Sequence, residues 1–159
     1  MKKRRDLKLL ALFLFLLIVL TVVIFVRADY PMHKAKKEAT AIAKEQAGIQ
    51  EVTDFYWFTR KDTYFTVVGL TEKGEGLIAI IPQEGGQTEI LKQSEGVTEK
   101  EAIQSVLDDK TSNEIKKITL GLVDDEPVWE IVAESKEYGI NYYLVSFRTG
   151  DIIHTLHNV

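Results

Sequence analysis

Leu9 to Val26 reads LLALFLFLLIVLTVVIFV, eighteen residues without a charge and with Thr21 as the one hydroxyl. A helix of that length extends about 27 Å at ~1.5 Å per residue. That is close to the ~30 Å hydrocarbon core of a bilayer. No water is present there to satisfy free backbone groups, so such a segment must be helical. It has no polar face, which argues against an ordinary core helix. Lys2, Lys3, Arg4, Arg5 and Lys8 surround its start. A basic cluster of this kind stays cytoplasmic and sends the following chain outside. The sequence therefore predicts a cytoplasmic tail over 1–8, a single membrane-spanning helix over 9–26 and an extracellular remainder. A secretory signal has a shorter apolar middle, of ~7–15 residues. The small residues around Val26-Arg27-Ala28 still leave cleavage open.

The remainder, residues 27–159, is long enough for one ordinary domain or two small ones. The net charge of −4 hides an asymmetry: residues 1–26 sum to +4 and the rest to −8. An acidic outer part has no field for gathering on nucleic acid or anionic lipid. Cysteine is absent. That excludes disulfides, a thiol nucleophile and a lipid-modified cysteine.

Residues 30–48 predict a helix. Pro31 suits its first turn. Ala35, Ala39, Ile42 and Ala43 form a stripe of mostly small side chains at three- and four-residue spacing, and Gly48 follows as a C-cap. Residues 51–92 then read as four short strands: 52–59, 64–70, 77–81 and 88–91. Lys61-Asp62, Gly74 to Gly76 and Gly85-Gly86 form the turns between them. The pattern repeats. Ser94 or Thr98 opens a second helix, with Glu101 three residues after Thr98 completing a capping box and Ala102, Ile103, Val106 and Leu107 as the apolar face. Strands follow at 115–123, 128–134, 141–147 and 152–156.

Lys37-Glu38-Ala39 matches Lys100-Glu101-Ala102 at a shift of 63. Tyr64 with Trp129, Val67 with Val132, Gly74 with Gly139 and Gly85 with Gly150 match at 65. Such self-similarity points to a duplicated unit. The expected fold is α+β: a transmembrane helix, then a repeat over 30–92 and another over 94–159. Each is one helix on an antiparallel sheet of about four strands.

Tyr142 to Ile153 resembles the closing strand, turn and last strand of a PepSY domain, and Pro127 to Ile131 its middle strand. The arrangement of basic tail, one span and two helix-plus-sheet repeats is similar to the TseB/YpmB family of Firmicutes, membrane-anchored regulators of cell-wall elongation. The resemblance implies tandem cystatin-like domains outside the membrane. It also implies a partner, an elongation-specific class B penicillin-binding protein.

No active site can be assembled from the residues. Ser94, Ser105, Ser112, Ser135 and Ser146 lie in neither a Gly-x-Ser-x-Gly elbow nor a Ser-x-x-Lys motif. His154 and His157, three apart on a strand, point to opposite faces. His33 stands alone at the start of the folded part. Asp124-Asp125-Glu126 lacks the alternation of a calcium loop and reads as a turn. The Gly-rich turns lack the lysine and helix of a phosphate loop. No catalytic residue, cofactor, metal or small-molecule substrate is expected. In Phe55-Tyr56-Trp57-Phe58 successive side chains alternate faces. One pair should meet the helix, and the other must meet the second repeat, the membrane surface or a partner. Tyr56, Phe58, Tyr142 and Tyr143 are the candidate partner contacts. Modulation of an extracellular protease is the alternative, by fold analogy alone.

Overall fold

The computed structural model describes residues 2–108, 114–135 and 139–157; within the first helix, the side chains of residues 2–11 and 22–30 fall outside that description. The chain divides into two compact units, Met1–Lys37 and Glu38–Val159. Helix α1 covers Lys2–Ala47, with Pro31 inside it rather than at the start of a new helix. A lone proline removes one backbone hydrogen bond, and the helical residues on both sides outlast that loss. The apolar side chains from Leu12 to Leu20 are exposed. Among the described residues no helix is long and apolar enough to cross a membrane. The expected span over 9–26 lies partly outside them, at 9–11 and 22–26.

In the second unit, the last turns of α1 precede strands β1 (Ile49–Thr59), β2 (Thr63–Thr71), β3 (Gly76–Pro82) and β4 (Glu89–Lys92). After one 3₁₀ turn at Gln93–Glu95 come α2 (Glu99–Asp108) and strands β5 (Glu114–Val123), β6 (Glu126–Ser135), β7 (Gly139–Ser146) and β8 (Ile152–His157). Each set of four strands is an antiparallel meander in chain order. The expected α+β plan of two helix-plus-sheet layers is therefore present. The turn expected over 136–139 falls largely outside the described residues, as does Asp109.

Strand alternation decides what each face meets. Val67, Ala79, Ile81 and Ile49 pack with Ala39 and Ala43 of α1. Alanines leave little between helix and sheet, so the backbone approaches closely. The opposite parity of the first sheet, Val68, Ile78, Ile80 and Leu91, joins a second cluster. That cluster contains Ala102 and Val106 of α2 with Leu120, Trp129, Ile131, Ala133, Tyr143 and Val145. The capping box forms as the spacing predicts. Thr98 N–H and Oγ1–H both donate to Glu101 Oε2 at 2.8 Å, and Glu101 N–H donates to Thr98 Oγ1 at 3.3 Å.

The overlay of the two repeats needs a correction. Val67 faces α1, whereas Val132 lies on the face turned away from α2, because Ile131 and Ala133 take the α2 face. The residues that share an environment are Phe65 with Trp129, Val67 with Ile131 and Ala79 with Tyr143, a shift of 64 rather than 65. A one-residue slip exchanges the two faces of a strand, and turn glycines do not register that slip.

Candidate functional site

The tip of β1 resolves the question posed by its aromatic run. Phe55 stacks on Phe65 at 6.2 Å, and Trp57 meets Phe65 edge-on at 5.1 Å, on the α1 side of the sheet. Tyr56 and Phe58 point the other way and meet the second repeat. Tyr56 packs edge-on against Trp129 at 5.5 Å. Phe58 is fully buried in a cluster with Val128 and Leu144. Trp129 and Val128 are neighbours on β6 and face opposite sides. Tyr56 and Phe58 thus reach the two faces of the second sheet, one on either side of β5. Gly121 makes room for this: a Cβ there would lie 2.3 Å from Phe58 Cγ. Between the two aromatics, Thr66 Oγ1–H donates to Leu120 O at 2.6 Å. The hydroxyl thereby pairs a carbonyl on the edge strand, where a sheet otherwise leaves backbone groups open.

Polar contacts lock the same seam. Tyr56 Oη–H donates to Glu99 Oε2 at 2.5 Å. Burial, followed by this hydrogen bond and the charge of Glu99, holds the phenol far above its ordinary range, so it remains a donor. Trp129 Nε1–H donates to Val97 O at 3.1 Å. Arg60, just past the tip of β1, donates through Nε to Glu130 Oε2 at 2.5 Å. The Glu130 side chain is 9 % exposed and that of Arg60 28 %. Neither Arg60 nor Glu130 stood out in the sequence. The available signal was a carboxylate in the middle of the otherwise apolar Val128 to Val132.

The four candidate contacts do not share one surface. Phe58 and Tyr143 are both fully buried, Phe58 in the seam and Tyr143 on the α2 face. No partner reaches them while the chain is folded. Tyr56 is half-buried and committed to Trp129 and Glu99. Tyr142 differs. It lies on the face turned from α2, in a cross-strand row with Lys117, Val132 and Leu156. Leu156 is 42 % exposed. The next row is Thr119, Glu130, Leu144 and His154. Phe58 and Arg60 cover one end of this face, and Tyr142 and Leu156 line the uncovered part together with Thr59, Arg60 and Glu130.

Among the described residues, no three His, Asp or Glu side chains come together as a metal site. The arrangement is an inter-repeat joint beside an open sheet face.

Residues 38–82, the end of α1 and the first three strands, match the cell wall elongation regulator TseB-like domain. The matched segment lies within the first repeat. Over 76 % of this chain the fold is similar to 95 % of the YpmB protein from Bacillus subtilis, with 24 % identity and a TM-score of 0.69. A candidate lipoprotein from Clostridium difficile 630 gives 13 % identity and a TM-score of 0.40 over 77 % and 91 %. No curated protein matches the chain. The matched segment contributes Tyr56, Phe58 and Arg60 to the joint, and the repeat beyond it contributes the open face.

Proposed function

We propose that the chain is a non-enzymatic, single-pass regulator of cell-wall elongation. Its folded part would bind the extracellular portion of a class B penicillin-binding protein, while residues 9–26 hold both proteins in one membrane. The observation that carries this reading is the match of residues 38–82 to a domain of cell wall elongation regulators. The uncharged run after five basic residues, helical along its length, supports the anchor and a cytoplasmic N-terminus. Sharing a membrane raises effective concentration, so a weak outer interface suffices. A half-exposed tyrosine beside an exposed leucine supplies such an interface.

Crosslinking in intact cells, with the anchor in place, tests the proposal. The expected result is enrichment of an elongation-specific transpeptidase. Its absence at native expression, with the chain folded and in the membrane, overturns the reading. Exchange of residues 1–26 for a cleavable signal should leave the ectodomain folded and lower the crosslinking yield.

A further inference from the structure

The uncovered part of the second sheet has a pocket of about 320 Å³, lined by Thr59, Arg60, Glu130, Tyr142 and Leu156. The first two residues come from the first repeat and the other three from its neighbour. The pocket therefore exists only while the two repeats are docked. Its walls differ in chemistry. Tyr142 and Leu156 offer an apolar side, and Leu156 is exposed where the pocket meets solvent. Arg60 and Glu130 supply the polar side.

The ion pair is not symmetrical toward the pocket. Glu130 keeps only 9 % of its side-chain surface exposed, while Arg60 keeps 28 %. Glu130 holds the guanidinium through Nε, and an arginine fork has further N–H donors beyond that atom. The pair thus leaves more of its cationic member than of its anionic one accessible, on a chain whose residues 27–159 are net acidic. A planar guanidinium fixed in this way matches a carboxylate in geometry as well as charge. Directly opposite Glu130 in the β5–β6 register stands Thr119. Its buried hydroxyl has no hydrogen-bond partner among the described residues. Buried polar groups are ordinarily satisfied, so the floor of this face is more polar than its own contacts require.

We propose that this pocket receives an acidic segment of a protein partner, with a carboxylate on Arg60 and an adjacent aliphatic or aromatic side chain on Tyr142 and Leu156. The inference rests on the partner-binding reading above and names its contact. An anionic lipid surface shares only the carboxylate's charge, and the net acidity of the folded part opposes it.

The test uses the full chain in zwitterionic nanodiscs. The probes are fluorescent eight-residue peptides with one Glu two positions before a Leu or Phe, and the same peptides with Gln in place of Glu. The expected result is about tenfold tighter binding of the Glu peptides, roughly what one charge-assisted contact provides. Arg60→Ala alone strands a buried carboxylate, so the informative variant is Arg60→Met with Glu130→Gln. It should erase the Glu preference while the thermal melt shows a folded chain. Tyr142→Ala should weaken both peptide series several-fold. Equal binding of Glu and Gln peptides, or a preference that survives the double substitution, overturns the proposal. So does binding to anionic vesicles in place of peptides. The same variants in the cellular crosslinking assay separate the two claims. Crosslinking that persists undiminished removes this pocket and leaves the regulator reading. Peptide binding with no transpeptidase crosslinking keeps the pocket and removes that partner.

Discussion

Both faces of the first sheet are covered, one by the last turns of α1 and the other by the second repeat. The second sheet has α2 on one face and, among the described residues, Phe58, Tyr64 and Arg60 from the first repeat at one end of the other. Two copies of one plan have thus been finished differently. The first became a scaffold with little free surface, and the second kept a face on which Tyr142 and Leu156 remain accessible. In a duplicated protein the freedom to bind falls to the repeat whose second face is not needed for packing.

The sharpest way to break this contrast is at equivalent-looking aromatics. Phe58→Ala should cost about 3–5 kcal/mol, as expected for a buried phenylalanine that leaves a cavity. Tyr142→Ala on the open face should cost about 1 kcal/mol or less. Urea denaturation measures both, and similar costs would mean that the second sheet is covered after all. Gly121→Ala comes next. Its added methyl falls against Phe58 and should cost about 1–3 kcal/mol by overpacking. Combined with Phe58→Ala, that cost should largely vanish, a coupling visible in a double-mutant cycle.

The ion pair gives a third, smaller effect. Arg60→Ala should cost about 1–3 kcal/mol, less than a fully buried pair because Arg60 is partly solvated. Arg60→Met with Glu130→Gln should recover most of it. The smallest effect sits outside the joint. Thr98→Ala removes the cap of α2, at about 1 kcal/mol. Hydrogen bonds from the Thr98 backbone and hydroxyl hold the Glu101 carboxyl below its ordinary value of 4.5. A lowered carboxylate stabilises the folded state above the unfolded value, and that contribution is lost as pH falls through the folded one. Melts between neutral pH and pH 3 should therefore show a shallower acid decline in Thr98→Ala than in the parent.

Much of this plan can be read from the residues. Alternation within Phe55 to Phe58 separated the two aromatic pairs, and Thr98 with Glu101 placed the start of α2. The match of turn glycines revealed the duplication but misjudged the faces, because Gly74, Gly85, Gly139 and Gly150 mark loops, where one inserted residue is absorbed without trace. The joint was harder to see. Gly121 in Ile118 to Val123 reads as a weak point in a strand, and only the aromatic that fills its space, sixty-three residues earlier, explains it. Arg60 and Glu130 are seventy residues apart, and nothing local to either announces the other. Tyr143 and Tyr142 are adjacent and chemically identical. Their opposite fates depend on strand parity, which a shift of one residue reverses.

The seam sets the edge strand β5 against the face of β1 and β2 that is turned from α1, with Thr66 Oγ1–H closing on Leu120 O. An edge strand carries unpaired backbone groups that can template a further strand. Seated on the first repeat beside Tyr56 and Phe58, the β5 edge is shielded from such pairing. Docking of the repeats therefore also guards this edge against the addition of a strand from another chain.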